Sequence, residues 1–147
     1  MKYSIVIPAY NEEKVIGKTL RSLKRLNFPN DSYEVIVVEN GSTDKTYQKA
    51  KKYESKIISV HHVNDKGVSY AKNYGKFKAD TDSDWIIYLD ADTKLKPNFL
   101  NEFTQYISYK ENYAIGTTSI RPDKKSLKSL FWFKMYDFFH KITKTSY

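Results

Sequence analysis

Along this chain, short apolar runs alternate with segments whose apolar positions recur every three or four residues. Residues 3–7 are an apolar run that reads as a first strand. Over residues 12–26, Val15, Ile16, Thr19, Leu20, Leu23 and Leu26 fall on one face, the mark of an amphipathic helix. Phe28-Pro29-Asn30-Asp31 is a turn, and 33–38 is a nearly all-apolar strand of the kind covered on both faces. The alternation continues with a helix at 43–53, a strand at 57–60, a helix at 68–77 and a strand at 84–89. A helix at 98–109 is opened by Pro97, which suits a first helical turn. Residues 113–120 are strand-like and 126–142 helical. Strands and helices in this order predict an α/β fold built on a doubly wound, mostly parallel sheet.

The chain of 147 residues is long enough for one domain with a real core. A break at Arg121-Pro122-Asp123-Lys124-Lys125 separates residues 1–120 from a basic, aromatic segment, 121–147. There is no cysteine, which removes disulfides, thiolate metal sites and cysteine nucleophiles and fits a reducing compartment. The first residues carry too short an apolar run before Pro8 for a signal peptide, and no stretch has the ~18 apolar residues of a spanning helix. The expected location is therefore the cytoplasm. A formal charge of +8 favours anionic partners. Nucleic acid is the weakest of these, because the lysines are scattered along the sequence.

Four polar constellations stand at the C-terminal ends of predicted strands or the starts of helices, the edge where open parallel sheets bind ligands. After the first strand, Pro8-Ala9-Tyr10-Asn11-Glu12-Glu13 opens a helix, with Asn11 placed to cap it and Tyr10 exposed for stacking on a base. After the second, Glu39-Asn40 offers groups for a nucleobase edge or a ribose, and Ser42 or Thr43 a helix cap. In Gly67-Val68-Ser69-Tyr70-Ala71-Lys72, the lysine, or nearby Lys66, is placed to reach a diphosphate. After the fourth strand, Asp90-Ala91-Asp92 sets two carboxylates together, an arrangement that calls for a cation between them, such as a hard divalent ion carrying phosphate.

Other readings fall away. Asp80, Asp82 and Asp84 open like an EF-hand loop, but the positions that need Gly and Glu hold Trp85 and Ala91, so they read as a solvated loop. Gly67-Val68-Ser69 lacks the second glycine of a nucleophile elbow. A dinucleotide fingerprint is missing after the first strand. His61, His62 and His140 have no partner at metal-ligand spacing and read as structural or surface residues.

Taken together, VIPAYNEE at 6–13, VVENGSTD at 37–44, GVSYAKNYG at 67–75 and YLDADT at 88–93 resemble the family 2 glycosyltransferases of the GT-A fold, in order and in spacing. The resemblance covers about residues 3–120. It implies transfer of a sugar from a nucleotide diphosphate-sugar donor to a saccharide, lipid-linked or protein acceptor, with inversion and with Mg2+ or Mn2+. It implies that Pro8, Tyr10 and Glu12 line the nucleotide pocket, that Glu39 and Asn40 meet base and ribose, and that Lys72 lies near the base or diphosphate. Asp90 would face ribose and metal, and Asp92 would bind the metal. The sequence departs from the family at Glu39-Asn40, where paired aspartates are common, and at Lys72, where arginine is common. The family's catalytic carboxylate lies further along than Tyr147, so the chain reads as the donor-binding half, with a binding module lacking turnover as the alternative. Residues 126–142 carry six aromatics between Phe131 and Phe139, which wrap nearly around a helix. They are expected to pack on the sheet or to lie at a membrane surface on its cytoplasmic face.

Overall fold

The computed structural model describes residues 1–108. The expected strand at 113–120, the helix at 126–142 and the whole 121–147 segment lie outside the described residues. Within them the chain runs β1 (Tyr3–Ala9), α1 (Ile16–Leu23), β2 (Tyr33–Asn40), α2 (Thr46–Lys51), β3 (Ile58–Val63), α3 (Val68–Lys78), β4 (Trp85–Tyr88) and α4 (Phe99–Ser108). The four strands form one sheet in the order β3-β2-β1-β4, every neighbouring pair parallel. The order steps outward from β1 through β2 to β3, then returns to the far side of β1. The topological switch point therefore lies between β1 and β4.

Strand alternation sends side chains to two separate cores. Ile5, Ile7, Val35 and Val37 pack with Ile16, Leu20 and Leu23 of α1, Ala50 of α2 and Leu100 of α4. Val6, Ile36 and Val38 pack on the other side with Ala71 of α3. Helices thus cover both faces, which is why β1 and β2 read as unbroken apolar runs. The buried stripe of α1 is Ile16, Thr19, Leu20 and Leu23. On the opposite face α3 approaches so closely that a Cβ on Gly75 would lie 2.2 Å from Val6 Cγ1. At the start of β1, Tyr3 sits in a ring cluster with Phe28 and Phe103 at 5.6 and 5.9 Å between centroids.

The boundaries differ from the expectations in instructive places. β2 and β3 run on through polar residues because those residues pair across the sheet, Glu39 opposite His62 and Asn40 opposite Val63. α1 begins only at Ile16, and Asn11 does not cap it. Asn11 has a φ of 55°, and its side chain turns instead to the β2–α2 loop. Neither Ser42 nor Thr43 caps α2. The carboxylate of Asp44 accepts from the Thr46 N–H and hydroxyl. The 80–84 segment is more than a solvated loop. Asp80 pairs with the Lys2 ammonium, and Asp84 accepts from the Lys2 N–H at 2.8 Å, so the approach to β4 is tied to the start of β1.

Candidate donor-binding site

A pocket of about 580 Å³ opens at the C-terminal edge of the sheet. Its walls come from the end of β1 (Pro8, Tyr10, Glu12), the end of β2 (Asn40), the β3–α3 loop (Lys66, Gly67) and the segment after β4 (Asp90, Ala91, Asp92). It therefore straddles the switch point between β1 and β4, the place where doubly wound sheets hold their ligands. Six of the eight residues expected at the site line it. Glu39 and Lys72 do not.

The loops that build the pocket are sewn together by side chains that point away from it. The Asn11 N–H donates to Ser42 Oγ at 3.0 Å, and Asn11 Oδ1 accepts from the Thr43 N–H at 2.9 Å. The Glu12 N–H donates to Thr46 Oγ1 at 2.7 Å, and the Glu13 N–H to Asp44 Oδ2 at 3.1 Å. In return the Lys45 N–H donates to Glu13 Oε2 at 3.2 Å. The polar run Gly41-Ser42-Thr43-Asp44 is thus a seam between two loops. Across the pocket, the buried Thr19 hydroxyl of α1 donates to the carbonyl of Ala91 at 2.7 Å, which fixes the peptide between Asp90 and Asp92. With its amide nitrogen toward β1, Asn40 donates to the Ala9 carbonyl at 2.8 Å and accepts from the Gly67 N–H at 3.2 Å. Gly67 has a φ of 125°, a backbone region that side-chain-bearing residues avoid.

Glu39 is buried, and its carboxylate is engaged within the scaffold. It accepts from the Ser42 N–H and meets His62 Nδ1 at 2.5 Å. His62 Nε2 lies 3.1 Å from Asn64 Oδ1. A carboxylate oxygen at Nδ1 and an amide oxygen at Nε2 both favour the doubly protonated ring. Burial pushes the Glu39 carboxyl up, but the hydrogen bonds from His62 and Ser42 outweigh it and leave it below its ordinary value. The same bond to Glu39 raises His62 above its own. Lys72 projects from α3 toward Tyr88, with Nζ 5.6 Å from the ring centre. Lys66 is the lysine that reaches the pocket wall.

The pocket is electrostatically negative where the acids gather. Burial pushes the Glu12 carboxyl above its ordinary value, and Asp92, Asp44 and Asp90 push it the same way. Among the described residues no group of three acidic or histidine side chains is close enough to hold a metal ion alone. Two aspartates facing an open cavity do match what Mg2+ or Mn2+ takes when substrate phosphates complete its shell. The aromatic group at the site is Tyr10, which is 44 % exposed.

Comparison with known proteins decides the family. The model of Glycosyl transferase family 2 matches residues 4–146. The chain belongs to this family. The poly(ribitol-phosphate) beta-N-acetylglucosaminyltransferase TarS of Staphylococcus aureus is 32% identical over 110 residues, which are 73% of this chain and 19% of that protein. The UDP-N-acetylglucosamine–dolichyl-phosphate N-acetylglucosaminyltransferase of Methanococcus voltae is 30% identical over 135 residues, 80% of this chain and 52% of that one. Residues 1–349 of TarS, solved in complex with UDP-GlcNAc, superpose with a TM-score of 0.68 at 25% identity, covering 83% of this chain and 39% of that one. The mannosyltransferase PcManGT from Pyrobaculum calidifontis, solved with GDP-Man and Mn2+, superposes with a TM-score of 0.67 at 20% identity, covering 90% and 38%. The fold is that of the GT-A glycosyltransferases. The chain spans about half or less of the length of these relatives.

Proposed function

We propose that this chain provides the nucleotide-sugar-binding part of a glycosyltransferase that moves a sugar, with inversion, from a nucleotide diphosphate-sugar to an acceptor. The observation that carries this reading is the pocket at the switch point, which brings the exposed Tyr10 ring and the Asp90 and Asp92 carboxylates to one cavity. Tyr10 is suited to stack on the base. Lys66, on the wall formed by the β3–α3 loop, is suited to meet the diphosphate. In transfer, the bond between the anomeric carbon and the phosphate oxygen breaks while the acceptor oxygen bonds from the opposite side. The nucleoside diphosphate leaves with the electron pair, so negative charge grows on its terminal phosphate, and where the acceptor is a hydroxyl its proton passes to a base. A divalent cation held by Asp90 and Asp92, Mg2+ or Mn2+, would supply the positive charge that offsets it. Leaving-group binding and orientation are the tasks assigned to these residues.

TarS was solved with UDP-GlcNAc, which supports a uridine donor. The acceptors named for the relatives, poly(ribitol-phosphate) and dolichyl phosphate, share only a phosphate. We therefore assign the acceptor as a phosphate-bearing polyol or lipid. Titration calorimetry with UDP and GDP, in Mn2+ and in EDTA, tests the donor site. Binding is expected in Mn2+ and not in EDTA, and Asp92→Asn is expected to abolish it without lowering the melting temperature of the free protein. Equal affinity in both buffers would remove the metal from the proposal. A large loss of melting temperature would make Asp92 a structural residue.

A further inference from the structure

A second cavity, of about 220 Å³, lies between α1 and α2, on the sheet face opposite α3. It is lined by Lys14, Lys18, Arg21, Lys49 and Lys52, with Glu13 its one acidic group. Of these five cations, Lys49 has a carboxylate partner among the described residues, Glu13 at 3.9 Å. Five cations crowded around a concavity repel one another, and such a groove is most stable with an anion inside. Tyr53 forms one wall, with Arg21 Cζ at 5.9 Å and Lys24 Nζ at 5.7 Å from its ring centre. Gly17 lets the ring seat against α1, since a Cβ there would meet the phenol oxygen at 3.1 Å.

We propose that this groove is a second ligand site, which binds the phosphates of a linear polyol-phosphate polymer. The charges stand in two rows, Lys18 and Arg21 along α1 and Lys49 on α2 with Lys52 just past its end, and two rows fit phosphates repeated along a chain better than a lone ion. A membrane surface fits less well. None of the exposed large apolar side chains of the described residues lies on α1 or α2, so nothing there enters a lipid layer. Nucleic acid also fits less well, because the one aromatic ring of the groove has Arg21 and Lys24 over it instead of standing open to a base. Glu12 lines the donor pocket and its neighbour Glu13 lines the groove, so the two sites flank one loop. The choice of a polyol phosphate rests on the acceptor class proposed above, while binding in the groove is measured separately from the donor pocket.

The test is fluorescence anisotropy of the full chain with a labelled synthetic oligo(glycerol phosphate). Binding is expected to weaken with added salt. The triple variant Lys14→Gln/Lys18→Gln/Lys52→Gln is expected to bind about tenfold more weakly, from the loss of three surface ion pairs. The control Lys56→Gln/Lys76→Gln/Lys96→Gln, which removes the same charge elsewhere, is expected to keep wild-type affinity. UDP titration in Mn2+ is expected to match wild type in both variants, which separates this site from the donor pocket. Failure to bind, or equal losses in the two triple variants, would overturn the proposal. So would inorganic phosphate binding as tightly as the oligomer, or tighter capture by phosphatidylglycerol vesicles or by oligothymidylate.

Discussion

Thr19 is far from Asp90 and Asp92 in sequence and is not among the residues that line the pocket, yet it bonds to the loop between them. Its hydroxyl, on the buried face of α1, donates to the Ala91 carbonyl at 2.7 Å. Thr19 is 1% exposed and Ala91 5%, so water does not readily replace a lost partner. Thr19→Val keeps the shape and removes the donor. Leaving a buried carbonyl unpaired costs ~1–3 kcal/mol. The methyl that replaces the hydroxyl returns under ~1 kcal/mol of apolar burial. A net loss of about 1–2 kcal/mol lowers the melting temperature by about 3–6 °C in a chain of this size. Thr19→Ser removes a methyl but keeps the hydroxyl, so it is destabilised by about 1 kcal/mol through packing. The two variants separate at the ligand. If the bond sets the Asp90–Asp92 geometry, Val weakens Mn2+-dependent UDP binding and Ser does not. Urea denaturation and calorimetry on the same preparations give both quantities. Equal UDP affinity in the Val, Ser and wild-type proteins would refute the idea that this bond positions the acids.

Three further outcomes are expected. Tyr10→Ala weakens nucleotide binding by ~1–3 kcal/mol while Tyr10→Phe keeps most of it, because a stack uses the ring; equal losses in calorimetry would rule stacking out. Gly75→Ala forces a methyl to within 2.2 Å of Val6 Cγ1 and costs ~1–3 kcal/mol by denaturant titration, and an unchanged midpoint would mean that α3 yields freely. The Glu39–His62 pair makes stability depend on pH at both ends. Glu39 lies below its ordinary 4.5, so its contribution is present above that value and is lost as pH falls through the lowered one. His62 lies above its ordinary 6.5, so its contribution is full below 6.5 and fades as pH rises through the raised value. The stability gap between wild type and His62→Gln is therefore widest between those limits, and a gap that grows above neutral pH would contradict the imidazolium.

The elements were legible because β1 and β2 are buried on both faces and α1 has a regular stripe, and such patterns survive without tertiary knowledge. Their ends were not, since those depend on partners distant in sequence. Nothing local shows that Glu39 and His62 extend two strands, because each is acceptable in the sheet only opposite the other. Asn11, Ser42 and Asp44 have the chemistry of helix caps and of cross-loop bonds alike, and only the approach of the two loops selects the second. The acidic pair and Tyr10 were readable from position alone, at the ends of strands that had to be parallel. The basic groove was invisible for the opposite reason. Its lysines are scattered in sequence and converge only because α1 and α2 pack side by side on one sheet face.

The pocket also shows how one short loop serves two purposes. Along residues 10–13 the roles alternate. Tyr10 and Glu12 line the cavity, while the Asn11 side chain and the Glu13 carboxylate bond to the β2–α2 loop. At the end of β2 the division is less clean: Glu39 is turned to His62, while Asn40 lines the cavity and also bonds its amide to Ala9 and Gly67. After β4 the Ala91 carbonyl is anchored to α1, and the aspartates on either side of it face the cavity. The cavity-facing carboxylates are positioned largely by bonds that their neighbours make, with the Thr93 hydroxyl 3.4 Å from Asp92 Oδ1 as a local contact. That is what the alternation achieves, and it explains why so many of the polar residues at this edge have no direct part in binding. Burial, and after it the charges of Asp92, Asp44 and Asp90, push the Glu12 carboxyl above its ordinary value. The scaffold gathers several acids near one cavity, and on the proposed reading a cation entering with a diphosphate would relieve their repulsion.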